Sequence, residues 1–132
     1  MPRLPALAAA ALFLVLPARA ELAVGADAPL VTAPATRGGA GFSFSLAEAL
    51  KAGPVVLYFY PAAFTKGCTV EAHDFAEATD AFKALGATVI GVSADDIAKL
   101  NEFSVAECRS KFAVASDADQ AIMKAYDAVL EM

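Results

Sequence analysis

The chain is expected to fold as an α/β domain built on a central, largely parallel sheet flanked by helices. Three short apolar runs, Val55 to Tyr60, Ala87 to Ser93 and Phe112 to Ser116, have the length and continuity of strands covered on both faces. They alternate with the helical patterns Cys68 to Leu85 and Asp95 to Lys111. Alternating strands and helices imply right-handed crossovers that join parallel strands.

The chain opens with Met1-Pro2-Arg3, the apolar run Leu4 to Leu16 and the ending Pro17-Ala18-Arg19-Ala20. A basic start, a short apolar core and an Ala-x-Ala ending match a secretory signal, with cleavage after Ala20 and export to the periplasm. An uncleaved anchor or a tail is the alternative, although a bilayer span needs about 20 apolar residues. The expected domain is 21–132, a single unit of 112 residues without repeats. Losing Arg3 and Arg19 moves the formal charge from −5 to −7, a poor match for nucleic acid or an anionic membrane. An exported chain meets an oxidising compartment, where its two cysteines, Cys68 and Cys108, could also form a static structural disulfide.

Leu22 to Gly41 is rich in Ala, Pro and Gly, and Arg37-Gly38-Gly39-Ala40-Gly41 reads as a mobile turn. No Gly-Lys-Ser/Thr follows those glycines, so they form no phosphate loop. Phe42 and Phe44 alternate with serines in a short strand, and Leu46 to Ala52 reads as a helix ended by Gly53-Pro54. Val55 to Tyr60 is then a central strand. The helix after Cys68 carries Phe75, Thr79, Phe82 and Leu85 on one stripe and stops at Gly86. Asp119 to Tyr126 is the last helix, with Ile122 and Tyr126 turned inward.

The chemistry is expected at Pro61-Ala62-Ala63-Phe64-Thr65-Lys66-Gly67-Cys68, where a strand hands over to a helix. A helix N-terminus favours negative charge, and the thiolate is the nucleophilic form of cysteine, so Cys68 is the candidate nucleophile. Thr65 can turn its hydroxyl toward the sulfur or toward an oxygen bound beside it. Pro61 fixes the chain as it leaves the strand and could wall the pocket against water, and Gly67 permits close approach to the sulfur. Each also has a structural reading: a buried apolar thiol, a helix cap, a strand terminator and a turn residue.

Pro61, Thr65 and Cys68, preceded by Gly53 to Tyr60, resemble the peroxidatic signature of the peroxiredoxins, and most nearly their bacterioferritin comigratory protein or peroxiredoxin Q branch. The likeness runs from about Leu22 to the end and includes Cys68-Thr69-Val70-Glu71, Val89 to Ser93 and Phe112 to Asp117. It implies a thioredoxin-like fold and a thiol peroxidase without metal or organic cofactor. Cys68 would attack a hydroperoxide and become a sulfenic acid. Thr65 would orient thiolate and peroxide, and Pro61 would shield the sulfenate. The resemblance also calls for an arginine beside the thiolate, which neither Arg37 nor Arg109 matches in position, and for further strands and a closing helix after Met132. The chain therefore looks like a C-terminally truncated member, expected to expose an edge and apolar surface, to fold poorly or associate, and to have little activity.

Many relatives carry a resolving cysteine five residues after the peroxidatic one, where this chain has His73; a subset places it on the helix after the next strand, where Cys108 falls. The resemblance thus favours Cys108 as the resolving thiol, closing a disulfide with Cys68 through local unfolding, whereas a core cysteine or a static disulfide remains open. Arg109 beside it reads as a solvated surface residue. His73, the only histidine, reads as a structural surface or half-buried residue, and Glu71 suits the macrodipole or, by resemblance, orients the family arginine. The expected partners are a peroxide and a thioredoxin-like dithiol, and the expected state is a monomer or weak dimer. A thioredoxin-like exchanger is disfavoured because no Cys-x-x-Cys is present, and a non-catalytic redox sensor or binding remnant is the remaining class.

Overall fold

The computed structural model describes residues 21–129, so the signal segment read at residues 1–20 lies outside the described residues. The chain order is β1 (Thr32–Arg37), β2 (Ala40–Ser45), α1 (Leu46–Ala52), β3 (Val55–Phe59), α2 (Lys66–Ala84), β4 (Thr88–Ser93), α3 (Ile97–Ala106), β5 (Ala113–Ser116) and α4 (Ala121–Ala125). One five-stranded mixed sheet runs β2-β1-β5-β4-β3. β3, β4 and β5 form the expected parallel part, with Leu57 opposite Ile90 and Val92 opposite Ala115. β1 pairs antiparallel to both β2 and β5.

β1 is absent from the sequence reading, because Ala, Pro and Gly between Leu22 and Gly41 carry no strand signal. Its pairing with β5 is confined to Ala35 and Thr36, past Pro34, so the missing proline N–H interrupts little. The Gly38-Gly39 turn adopts φ of 58° and 77°, the left-handed pair that a two-residue hairpin requires. It is held rather than loose: Gly39 N–H donates to Ser104 Oγ at 2.9 Å.

α1 matches its expected bounds, capped by Ser45 Oγ, which accepts from Glu48 N–H. α2 ends in a left-handed Gly86, with Gly86 N–H donating to Lys83 and Ala87 N–H to Phe82, both at 3.0 Å. A Cβ at Gly53 would collide with the Gly86 carbonyl, which explains a glycine where the α1–β3 connection passes the end of α2.

The sheet separates two apolar layers. On one face α2 and α3 pack Cys68, Ala72, Ala76, Leu100 and Phe103 against Val56, Tyr58, Val89 and Val114. On the other, Leu46 of α1 and Ile122 of α4 meet Val55, Leu57, Phe59, Ile90 and Val92. The expected inward position of Tyr126 is found, with its hydroxyl donating to the Pro29 carbonyl at 2.8 Å.

Three expectations are corrected. Among the described residues Val55–Phe59 is an edge strand, not a central one, and all five residues are only partly buried. Leu85 does not extend the buried stripe of α2: it is 79% exposed, because the helix ends beneath it. α3 stops at Ala106 rather than Lys111, since Arg109 and Ser110 turn left-handed with φ of 52° and 58°. Cys108 therefore lies in a turn and not on a helix.

Candidate functional site

The parallel strands direct their C-terminal ends toward the loop between β3 and α2. Tyr60 N–H donates to the Val92 carbonyl at 3.1 Å, and Ala63 N–H donates to Asp95 Oδ2 at 2.7 Å, so the loop is pinned to the end of β4 at two points. Between these anchors and the helix, Phe64 takes a left-handed φ of 66°, an unfavourable conformation for an aromatic residue. Its ring packs edge-on against Phe103 with centroids 5.2 Å apart, which holds the loop in this turn.

Thr65 is the N-cap of α2 by position, but its side chain makes no cap bond. Its hydroxyl donates instead to the Ala62 carbonyl at 2.8 Å, committing the proton and leaving the oxygen's lone pairs to accept. The helical ladder starts with Thr69 N–H to the Thr65 carbonyl at 2.9 Å. The N–H groups of Lys66, Gly67 and Cys68 precede that ladder and point toward the end where charge would form. Cys68 is the third residue of α2 and is 7% exposed. A Cβ at Gly67 would meet nothing within 4 Å, so the backbone beside Cys68 borders open space. Pro61 is exposed on the same loop.

The structure places Cys68 and Cys108 in one apolar cluster with Tyr60, Ala63 and Phe103, both as free thiols. Cys108 is fully buried; that burial, and secondarily the charge of neighbouring Glu107, push its thiol up to about 12. Arg109 does not offset this, because its guanidinium faces Glu77 at 3.6 Å. Arg37 donates to the Ser110 carbonyl at 3.3 Å, so both arginines among the described residues are engaged away from Cys68. His73 is half-buried and meets Glu107 Oε2 at 2.6 Å, linking α2 to the turn that holds Cys108. Glu71 and Asp74 are exposed.

Sequence reasoning missed three members of this site. Asp95 was read only as the start of a helix, but its carboxylate accepts from Ala63 N–H, Ser93 Oγ at 2.9 Å and Lys99 Nζ at 2.7 Å. Burial alone would raise its pKa, yet the bonds from Lys99, Ala63 and Ser93 outweigh that and hold the carboxyl below its ordinary range. Tyr58 and Tyr60 line the space near both thiols, and their spacing of two was the available signal for a shared face. Burial raises both phenols far above their usual range. Ser93 opposes the rise at Tyr60, but its hydroxyl is engaged with Asp95, and Tyr60 Oη makes no hydrogen bond among the described residues. A cavity of about 560 Å³ opens elsewhere, between Thr79, Lys83, Phe44 and Phe112, and does not include Cys68.

The AhpC/TSA family model matches residues 24–132. The chain is 42% identical over 84 residues to the chloroplastic peroxiredoxin Q of Oryza sativa subsp. japonica, a match covering 64% of this chain and 38% of that protein. Among solved structures, peroxiredoxin Q of Xanthomonas campestris superposes with a TM-score of 0.65 at 35% identity, covering 75% of this chain and 61% of that one. Peroxidoxin BcpB of Mycobacterium tuberculosis superposes at 0.70 with 32% identity, covering 77% and 64%. The chain thus spans less than two thirds of the length of each of these relatives.

Proposed function

Because the chain belongs to the AhpC/TSA family of peroxiredoxins, we propose that it reduces hydrogen peroxide or organic hydroperoxides through Cys68. The observation that carries this reading is a nearly buried thiol in the first turn of α2, directly behind a loop held by Asp95 and shaped by Phe64. The Cys68 thiolate attacks one peroxide oxygen, the O–O bond breaks, and the departing oxygen takes up a proton to leave as water or an alcohol. Cys68 is left as a sulfenic acid. Thr65, with its own proton committed to Ala62, presents an acceptor for the peroxide O–H and so orients the attacked oxygen. Pro61, exposed on the loop that leads to Cys68, would shield the sulfenate from that side.

In the second step Cys108 attacks the Cys68 sulfur, displaces the hydroxide as water and closes a disulfide, which a thioredoxin-like dithiol reduces. Their common cluster favours this pairing over two unrelated core thiols. Full burial of Cys108 requires the turn after α3 to open during closure. Export through residues 1–20 is part of the same proposal and is tested by finding Glu21 as the N-terminus of protein recovered from periplasm.

The deciding experiment is intact mass after one equivalent of peroxide, with Cys68→Ser and Cys108→Ser beside the parent. Parent protein should lose two hydrogens, Cys108→Ser should gain one oxygen, and Cys68→Ser should stay unchanged. The engagement of Arg37 and Arg109 away from Cys68 favours a second reading, a redox-sensing or binding remnant with a structural disulfide. Inertness of the reduced parent to peroxide would select it.

A further inference from the structure

Tyr58 and Tyr60 end in hydroxyls that are enclosed and have no hydrogen-bond partner among the described residues. An unpaired buried hydroxyl carries a desolvation cost that phenylalanine at the same position would avoid. Here two occur side by side, with ring centroids 5.6 Å apart, and Tyr60 is only 2% exposed. The fold makes room for one of them: a Cβ at Gly91 would stand 2.9 Å from the Tyr58 ring and hydroxyl. Tyr60 belongs to the cluster of Cys68 and Cys108, and Tyr58 packs against it. Both rings thus lie in the layer that holds both thiols, with their hydroxyls enclosed there. Since burial keeps them protonated, they can act only as donors when charge appears on a sulfur.

We propose that Tyr58 and Tyr60 are positioning residues whose hydroxyls donate hydrogen bonds to the Cys108 sulfur as it becomes a thiolate, supporting its attack on oxidised Cys68. The source of that oxidation rests on the peroxidase reading. The Cys108 thiolate forms a bond to Cys68 Sγ, the S–O bond of the sulfenic acid breaks, and hydroxide leaves with the proton Cys108 gave up, as water. The ionisable groups around these sulfurs are Tyr58 on β3, Tyr60 just beyond it, Cys68 and Glu71 from α2, Glu107 paired with His73, and Asp95 beside Tyr60. Apart from His73, paired with Glu107, and Arg109, which follows Cys108 but faces Glu77 at 3.6 Å, they are acids, so the two unpaired hydroxyls are the donors at hand for a buried thiolate.

The test uses the full chain with Tyr58→Phe, Tyr60→Phe and the double variant. Sulfenic Cys68 partitions between disulfide closure and further oxidation to sulfinic acid, so the peroxide concentration giving equal amounts of both by mass reports closure. Losing both donors to a charged sulfur should lower that concentration by about tenfold. The melting temperature should stay equal or rise, because an unpaired hydroxyl has been removed. In a Cys108→Ser background, over-oxidation should not respond to the tyrosine changes. An unchanged partition, a lowered melting temperature, or the same response without Cys108 would overturn the proposal. If peroxide oxidises neither cysteine, only the peroxidase reading fails. Closure is then timed from a Cys68 mixed disulfide with glutathione, where Cys108 attacks Cys68 Sγ and glutathione leaves as its thiolate. About tenfold slowing in the double variant supports the donor pair; an equal rate overturns it.

Discussion

Replacing Asp95 tests whether the loop that leads into Cys68 is held from β4 rather than by its own turn chemistry. In Asp95→Ala, the buried Ala63 N–H loses an acceptor at 2.7 Å and the fully buried Ser93 hydroxyl loses one at 2.9 Å. An unpaired buried donor costs about 1–3 kcal/mol, whereas the Ser93 hydroxyl can turn to another acceptor. The Lys99 pair adds little, about 0.5 kcal/mol, because the lysine is 41% exposed. The total is about 1.5–3.5 kcal/mol, a fall in melting temperature of roughly 6–20 °C for a domain of this size. Asp95→Asn keeps an acceptor for Ala63 and should lose about half as much. The pH dependence has a defined sign: a carboxyl held below its unfolded value contributes stability above about pH 4 that is lost as pH falls through its lowered folded value. The Asn variant should therefore melt with a flatter acid limb. Freed from Asp95, the left-handed turn at Phe64 relaxes, and alkylation of Cys68 at neutral pH should accelerate by about tenfold or more. An Ala variant melting within about 3 °C of the parent, with unchanged Cys68 alkylation, would refute the reasoning.

A thiol raised to about 12 in the fold contributes stability that is complete below its unfolded value near pH 8.5 and is lost as pH rises toward its folded value. Denaturant titrations should thus give a shallower loss of stability above about pH 8.5 for Cys108→Ala than for the parent, and parallel slopes would contradict it. Gly91→Ala presses a methyl group against the Tyr58 ring at 2.9 Å and should cost about 1–3 kcal/mol in a thermal melt, recovered in part by Tyr58→Leu. His73→Ala removes the 2.6 Å link from α2 to the turn holding Cys108. At its partial exposure it should cost about 0.5–1 kcal/mol yet speed labelling of Cys108 in native buffer several-fold, which peptide mapping with and without the substitution would detect.

The parallel half of the sheet was legible because its strands are uninterrupted apolar runs between long amphipathic stretches. The same reasoning placed Cys68, Thr65 and Pro61 on the loop and helix start where they lie. What escaped depends on interactions with no local signature. β1 is built from Thr, Ala and Pro and becomes a strand only through its neighbours β2 and β5. α3 stops at Ala106, and the chain beyond it turns at two left-handed residues, Arg109 and Ser110, neither of which is a usual helix stop, so the sequence pattern carries Cys108 onto a helix it does not join. Asp95 binds a backbone N–H 32 residues earlier, a contact no pattern along the chain can indicate.

The edge position of β3 ties the candidate site to a strand that is paired, among the described residues, with β4 alone. Among the described residues Val55–Phe59 pairs with β4 along one side, is apolar throughout, and carries neither the charge nor the internal proline that usually protects a free edge. Its alternate residues Val56 and Tyr58 reach the layer that holds both cysteines, and its last residue leads into Tyr60 and the loop of Pro61 and Thr65. A shift of β3 therefore carries Tyr58, Tyr60 and the start of α2 with it. Beside its packing in the two core layers, the ties opposing such a shift come from β4 and the residues just after it: Val92 on Tyr60, Asp95 on Ala63 and Gly91 beneath Tyr58. β4 thus acts as the reference frame of the site.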